Sequence, residues 1–319
     1  MDYILLIVGF ICLVKGADFF VSGSSAIAVH FNIPTFIIGL TIVAFGTSLP
    51  EAAVSVTAAM KGANGIAVGN VLGSNMFNLL IVLAISAVIK ECPVSKAILR
   101  FEYPLAIIAV AIIPICCIGI FDAPLLLSRY DGIILLAVFM VFLTKTFNNI
   151  TKSKDKYTVE GVPEEEPKKM NLPKASVISV IGILGIIFGG DLVVDAATGI
   201  ALSFGIDETL IGLTIVALGT SLPELVTSVV AARKGETDIA TGNVIGSNLF
   251  NILFVLGLSV TINPIEVTMD SVYDSIILIA VSLIAYIPLI KHKQLNRSWG
   301  IIMIVMYAVY LAYIIMRTM

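Results

Sequence analysis

A thirteen-residue segment occurs twice in this chain. Residues 39–51 read GLTIVAFGTSLPE and residues 212–224 read GLTIVALGTSLPE, differing only at Phe45 and Leu218. The register then holds without a gap, so that GNVLGSNMFN at 69–78 pairs with GNVIGSNLFN at 242–251, again 173 residues apart. Each copy sets one glutamate, Glu51 or Glu224, inside a run otherwise apolar enough to cross a bilayer. A charge at that depth is expensive and marks a functional ion site by default. Two copies imply one site built from both halves.

Composition supports the lipid setting. Apolar residues make up 58% and charged residues 13%, with a mean hydropathy of +1.05. Soluble domains are nearer ~25% charged. The chain reads as an all-α polytopic membrane protein. A net charge of −3 leaves no basic footprint for nucleic acid. The N-terminus, MDYILLIVG, has no positive n-region and reads as a first span rather than a removable signal. Cys12, Cys92, Cys116 and Cys117 show neither metal nor disulfide spacing. No nucleophile–base pair is visible, and His30 and His292 fall at expected helix ends. Enzyme chemistry and a resident cofactor are not expected, nor is an obligate protein partner.

A span needs about 20 mostly apolar residues. That rule gives ten, near 3–27, 33–60, 64–89, 103–121, 131–147, 175–203, 208–232, 237–262, 272–290 and 298–316. The second also reads as two shorter pieces. The polar stretch 148–174 reads as a flexible linker between a first repeat, 1–147 (motif 39–78), and a second, 175–319 (motif 212–251). Five spans per half turn the second repeat upside down, the inverted architecture of secondary transporters. Fifteen Lys and Arg fall on the linker side and three on the other. The bias places the linker in the cytoplasm and both termini outside the cell membrane.

The repeated motif has its own chemistry. Pro50 lacks an N–H, so the Gly46 carbonyl loses its helical partner, and Pro223 does the same to Gly219. The helices are expected to break there. Thr47, Ser48 and Glu51 share a face by spacing, as do Thr220, Ser221 and Glu224. Asn70, Ser74 and Asn78 recur every four residues, and so do Asn243, Ser247 and Asn251. Gly69, Gly73, Gly242 and Gly246 read as close-packing positions, and Asn75 and Asn248, one step off the polar face, as structural. All donor atoms are oxygens. That suits a hard cation, and Ca2+ accepts 6–8 oxygens in flexible geometry whereas Mg2+ keeps its waters. Two carboxylates neutralise one Ca2+, and the hydroxyls and carbonyls suit Na+ as well. Asp18 and Asp191 also repeat, with Lys15 three residues from Asp18, and stand outside the central site.

GTSLPE and GSNxFN, duplicated in antiparallel halves, resemble the α-repeats of the cation/Ca2+ exchanger superfamily, most nearly the prokaryotic Na+/Ca2+ exchangers. The resemblance covers the whole chain. It implies that Glu51 and Glu224 are the central Ca2+ carboxylates, with Thr47, Ser48, Thr220 and Ser221 beside them. It implies further ligands at Ser74, Asn78, Ser247 and Asn251, and backbone ligands for Na+ at the carbonyls of Ala44 and Ala217. It implies that the first and sixth helices slide across the other eight. Asn251 stands where K+-dependent relatives carry Asp, which disfavours K+ co-transport. Two central carboxylates give a neutral site with one Ca2+ and a charge of +1 with three Na+, an electrogenic 3:1 exchange.

The nearest rival reading is a H+/Ca2+ exchanger of the same fold. Such exchangers carry a GNxxE-type motif where this chain has GTSLPE. A Ca2+ channel is a rival of a different class, since acidic residues also line pores. Channels more often gather such a ring from several subunits.

Overall fold

The computed structural model describes residues 2–117, 125–152, 170–204 and 217–318. Among them the backbone is almost wholly helical, because in hydrocarbon every N–H and C=O must be satisfied within the chain. Among these residues eight helices are long and apolar enough to cross a bilayer, and a bent pair makes a ninth candidate span. In chain order the helices are α1 (Asp2–His30), the bent pair α2 (Thr35–Thr47) and α3 (Leu49–Met60), α4 (Asn64–Ile89), α5 (Ile98–Cys117) and α6 (Arg129–Lys152). Then come α7 (Leu172–Ser203), α8 (Leu222–Arg233), α9 (Thr237–Ile262), α10 (Met269–His292) and α11 (Arg297–Thr318).

Several expected boundaries move. The second span takes its two-piece reading, as two helices meeting at 49°. The seventh, expected at 208–232, is described only from Ala217 onward, and the fourth only as far as Cys117. The stretch 148–174 is helical at both edges: α6 runs on to Lys152, and α7 starts at Leu172. There Asn171 caps the new helix by accepting the Lys174 N–H at 3.3 Å, and Pro173 sits in the first turn, where a missing N–H costs nothing. Residues 153–169 of the expected linker lie outside the described residues.

The repeat seen in the sequence recurs in the contacts, with partners exchanged. After α3 the chain turns at Gly62 (φ 71°), and after α8 at its mate Gly235 (φ 86°). In each turn the next residue closes on a helix carbonyl: Ala63 N–H on Ala58 at 2.8 Å, Glu236 N–H on Ala231 at 2.9 Å. Only glycine adopts such angles without a Cβ clash. Four two-residue strands, β1 (Cys92–Pro93), β2 (Leu126–Leu127), β3 (Ile265–Glu266) and β4 (Gln294–Leu295), form two antiparallel ladders. β1 and β3 stand at the repeat offset. β1 pairs with the strand before α11, and β3 with the strand before α6.

α1 and α7 are the outer pair. Gly9 lies against Gly189, Gly16 against Gly182 and Gly23 against Ala175, so the two helices run antiparallel in close backbone contact. Small residues allow that approach. α4 and α9 are the interior pair, with 72% of each apolar window buried against 33% for α1 and α7. Gly242 and Gly246 of α9 let the backbone of α2 approach at Phe36 and Leu40. Gly69 and Gly73, their mates in α4, meet nothing within 4 Å among the described residues, and the stretch matching α2 in the second half falls mostly outside those residues.

A Cβ on Gly16 would lie 2.8 Å from the Gly182 carbonyl and 2.7 Å from the Ile186 amide, both immobile backbone. Gly16→Leu is therefore expected to cost at least the ~1–3 kcal/mol of an overpacked core. Gly65 has open space around it, so Gly65→Ala should gain up to ~1 kcal/mol of helix propensity. Thermal unfolding in detergent checks both: a lowered midpoint for the first, and an equal or raised one for the second.

Candidate cation site

The site forms where two helix breaks face each other. Ser48 separates α2 from α3 with φ −87° and ψ 8°. Ser221 precedes α8 with φ −93° and ψ 4°. Both prolines fall in the first turn of the helix that follows. The chain does not kink at proline inside a helix. It ends one helix and begins another, and the break lies at the serine. This aims Ser48 and Ser221 away from their own helices and toward the opposite repeat.

Glu51 and Glu224 are both fully buried. The Ser221 hydroxyl donates to Glu51 Oε1 at 2.9 Å, and the Ser48 hydroxyl to Glu224 Oε1 at 2.7 Å. Each carboxylate thus takes its shortest side-chain bond from the other half. A longer one comes from its own half: Ser74 to Glu51 Oε1 at 3.5 Å, and Ser247 to Glu224 Oε1 at 3.4 Å. Among the described residues neither glutamate has an ion pair, and the second oxygen, Oε2, of each is buried with no hydrogen-bond partner.

Asn78 and Asn251 complete the set. Both are fully buried, and among the described residues both amide ends of each lack a partner. They fall where α4 and α9 loosen into π-helical turns, 78–82 and 250–256. Such turns are frequent at functional sites. Two carboxylate oxygens and two amide oxygens are therefore buried without partners. All of these are hard donors, and a site of that kind fits a hard cation. No three His, Cys, Asp or Glu side chains cluster among the described residues.

Spacing alone makes Asn70 and Asn243 members of a polar face. The structure gives them a bridging part. Asn243 Nδ2 donates to the Glu224 carbonyl at 3.4 Å and to Ser228 at 3.0 Å, while its Oδ1 accepts the Thr47 hydroxyl at 3.0 Å. Asn70 repeats the set with the Glu51 carbonyl at 3.2 Å, Ser55 at 2.9 Å and Thr220 at 3.4 Å. A helical period shows which residues share a face and not which partner that face meets. Ser55 and Ser228, four residues beyond the glutamates, were missed for the same reason.

The remaining positions are placed as follows. The Ala44 carbonyl accepts the Ser48 N–H at 3.0 Å. The copies differ here, since the Ser221 N–H turns to Leu218 at 3.2 Å and not to Ala217. Asn75 Nδ2 donates to the Asn248 carbonyl at 3.2 Å, and Asn248 Nδ2 returns the bond to the Asn75 carbonyl at 3.4 Å, a structural tie as expected. Asp18 pairs with Lys234 at 2.8 Å and not with its near neighbour Lys15.

Comparison with known proteins adds to this geometry. A sequence model described as sodium/calcium exchanger protein matches residues 1–147 and 174–316. The inner membrane protein YrbG of Escherichia coli is 38% identical over 314 residues, covering 97% of this chain and 95% of the relative. The sodium/calcium exchanger MaX1 of Methanosarcina acetivorans is 30% identical over 345 residues, covering 98% and 97%. A solved structure of the sodium-calcium exchanger NCX_Mj, soaked with Na+ and Ca2+, matches with a TM-score of 0.84 and 32% identity over 98% of this chain and 97% of that one. With the matched segments carrying both glutamates and both break serines, the chain belongs to the sodium/calcium exchanger family.

Proposed function

We propose that this chain is an antiporter that exchanges Na+ for Ca2+ by alternating access around one site shared by two inverted five-span repeats. Membership of the exchanger family supports a multi-pass membrane protein that exchanges cations, Ca2+ among them. The finer reading is carried by one observation. Each buried carboxylate is bonded by the other repeat's serine and, among the described residues, keeps one oxygen without a partner. Glu51, Glu224, Asn78 and Asn251 supply Ca2+ with oxygens, and Ser74 and Ser247 stand beside them. Thr47, Ser48, Thr220 and Ser221, with the carbonyls of Ala44 and Ala217, supply the Na+ positions. The two ions compete for overlapping oxygens. An empty site leaves two carboxylates uncompensated in a dry interior, which opposes switching without cargo. α1 and α7, joined by their glycine seam and buried on one side only, are the moving pair. The linker faces the cytoplasm and the termini the outside of the cell membrane.

Glu51→Gln and Glu224→Gln are each expected to abolish Ca2+ uptake into proteoliposomes under an outward Na+ gradient, with unchanged elution in size-exclusion chromatography. Normal uptake by either variant would remove the central claim. In the same assay an outward H+ gradient driving wild-type uptake without Na+ would favour proton exchange, and uptake with no counter-ion gradient would favour a channel.

Exchange of three Na+ for one Ca2+ moves one net charge, worth about 2.3 kcal/mol per 100 mV. A 100 mV diffusion potential should therefore shift the limiting Ca2+ gradient about 50-fold. A gradient indifferent to the potential would show electroneutral exchange.

Asn243→Ala removes the acceptor that ties the Thr47 hydroxyl to the other repeat, leaving it the Val43 and Ala44 carbonyls of its own helix, and removes the donor to the Glu224 carbonyl and to Ser228. Losing hydrogen bonds of this kind costs ~0.5–1.5 kcal/mol each. The apparent Ca2+ affinity should fall by roughly 10-fold with a smaller change in maximal rate, and Asn70→Ala should do the same. A purely structural role would lower the yield of folded protein and leave affinity alone.

A further inference from the structure

α1 is fastened to the rest of the molecule at one end. Lys234, in the turn between α8 and α9, gives α1 three bonds: to Asp18 Oδ1 at 2.8 Å, to the Asp18 carbonyl at 2.7 Å and to the Ser22 hydroxyl at 2.6 Å. Two residues further on, Glu236 Oε1 accepts the Ser25 hydroxyl at 2.8 Å. This is the end of α1 nearest the linker, because Gly23 lies against Ala175 at the start of α7. Beside these bonds Phe20 and Val21 pack with Val230 of α8 and Ile239 of α9.

The repeat offset carries every member of this group to the other side of the molecule. Asp18 becomes Asp191, Ser22 becomes Asp195, Ser25 becomes Thr198, and Lys234 becomes Lys61 in the turn between α3 and α4. There the group is undone. Lys61, Asp191 and Asp195 are exposed, and among the described residues they form no ion pair. α1 packs along α8, whereas α7 has no comparable packing on α3. One conformation thus holds the same device closed at one end and open at the other.

We propose that Lys234 with Asp18 and Ser22, and Lys61 with Asp191 and Asp195, are alternating latches. Each fastens one end of the α1–α7 pair in one access state and releases it in the other. The inference rests on the alternating-access reading above. When inverted repeats exchange conformations, the ends of the molecule exchange roles. Breaking one latch is then offset by making the other, so neither state is favoured by its ion pair alone. The mates are not identical. Ser22 is replaced by the carboxylate of Asp195 and Glu236 by Ala63, so the latch on the terminal side is more purely ionic. Exposed ionic contacts weaken as salt screens them.

Two measurements test the proposal. In oriented proteoliposomes, Lys234→Gln should populate the state open toward the linker, raising the apparent Ca2+ affinity measured from that face and lowering it from the other. Lys61→Gln should shift both in the opposite directions. Shifts of the same sign in the two variants, or no shift in either, would overturn the latches. The second measurement needs no transport. In a C12A/C92A/C116A/C117A background with a protease site placed in the linker, the pairs Asp18→Cys/Lys234→Cys and Lys61→Cys/Asp191→Cys are treated with a short thiol-reactive bifunctional crosslinker of the reach of a Lys–Asp pair, cleaved and read on a gel. Both pairs are expected to join the halves, with yields that move oppositely as Na+ or Ca2+ is added. Joining at 18/234 with none at 61/191 under every ionic condition would refute the second latch. Joining at both in a protein showing no Na+-driven Ca2+ uptake would keep the latches and remove the assignment of cargo.

Discussion

Two carboxylates in hydrocarbon, each bonded by a hydroxyl of the opposite repeat, set the terms for the rest of this structure. An unpaired buried charge is among the costliest things a membrane protein can hold. The protein meets only part of that cost. One oxygen of each glutamate is bonded, and the other has no partner among the described residues. The breaks at Ser48 and Ser221 exist so that a serine can leave its own helix and reach across. Asn70 and Asn243 then hold the neighbouring threonines and the glutamate backbones in register. A lattice with every group satisfied would have no use for a cation. On the proposed reading, the two carboxylate oxygens and two amides left without partners among the described residues are what the cargo completes.

The sequence made the equivalences legible and left the pairings hidden. The 173-residue offset identified Glu51 with Glu224 and Ser48 with Ser221. Spacing alone could not show that Ser48 serves Glu224 and not Glu51, because a helical period describes one surface without its partner. Asp18 is the clearest instance. Local reasoning offered Lys15, three residues away, and the structure supplied Lys234, 216 residues away. The helix break was legible in Pro50, but its position was not. Proline is harmless in the first turn of a new helix, so the chain breaks just before it. The start of α7 at Leu172 was not legible, because a cap such as Asn171 lets a helix begin inside polar sequence.

Two kinds of packing divide the molecule mechanically. The interior helices α4 and α9 are covered on most sides, and the paired strands pin the ends of α6 and α11 against the turns before α5 and α10. α1 and α7 instead meet chiefly each other, along a seam of glycines whose contacts are backbone on backbone. Such a seam holds the two helices together as one body. Its outer face carries large apolar side chains such as Ile4, Ile7, Val177 and Leu184, which are exposed among the described residues and suit lipid.

The tie between Asn75 and Asn248 has a consequence for where such a protein comes from. Each amide bonds the backbone of the other, and the two occupy the same position in their repeats. Chemically it is a residue bonded to its own image. The bonds from Ser48 and Ser221 have the same character. A single half, inserted into the membrane in both directions, could therefore have made every one of these bonds by dimerising with an upside-down copy of itself. Alone it would have held a glutamate with only the longer serine bond of its own half. Fusion of two such halves would add no chemistry to the site. It would fix which copy faces which way, and the excess of lysine and arginine on the linker side is the mark that decision would leave in a sequence.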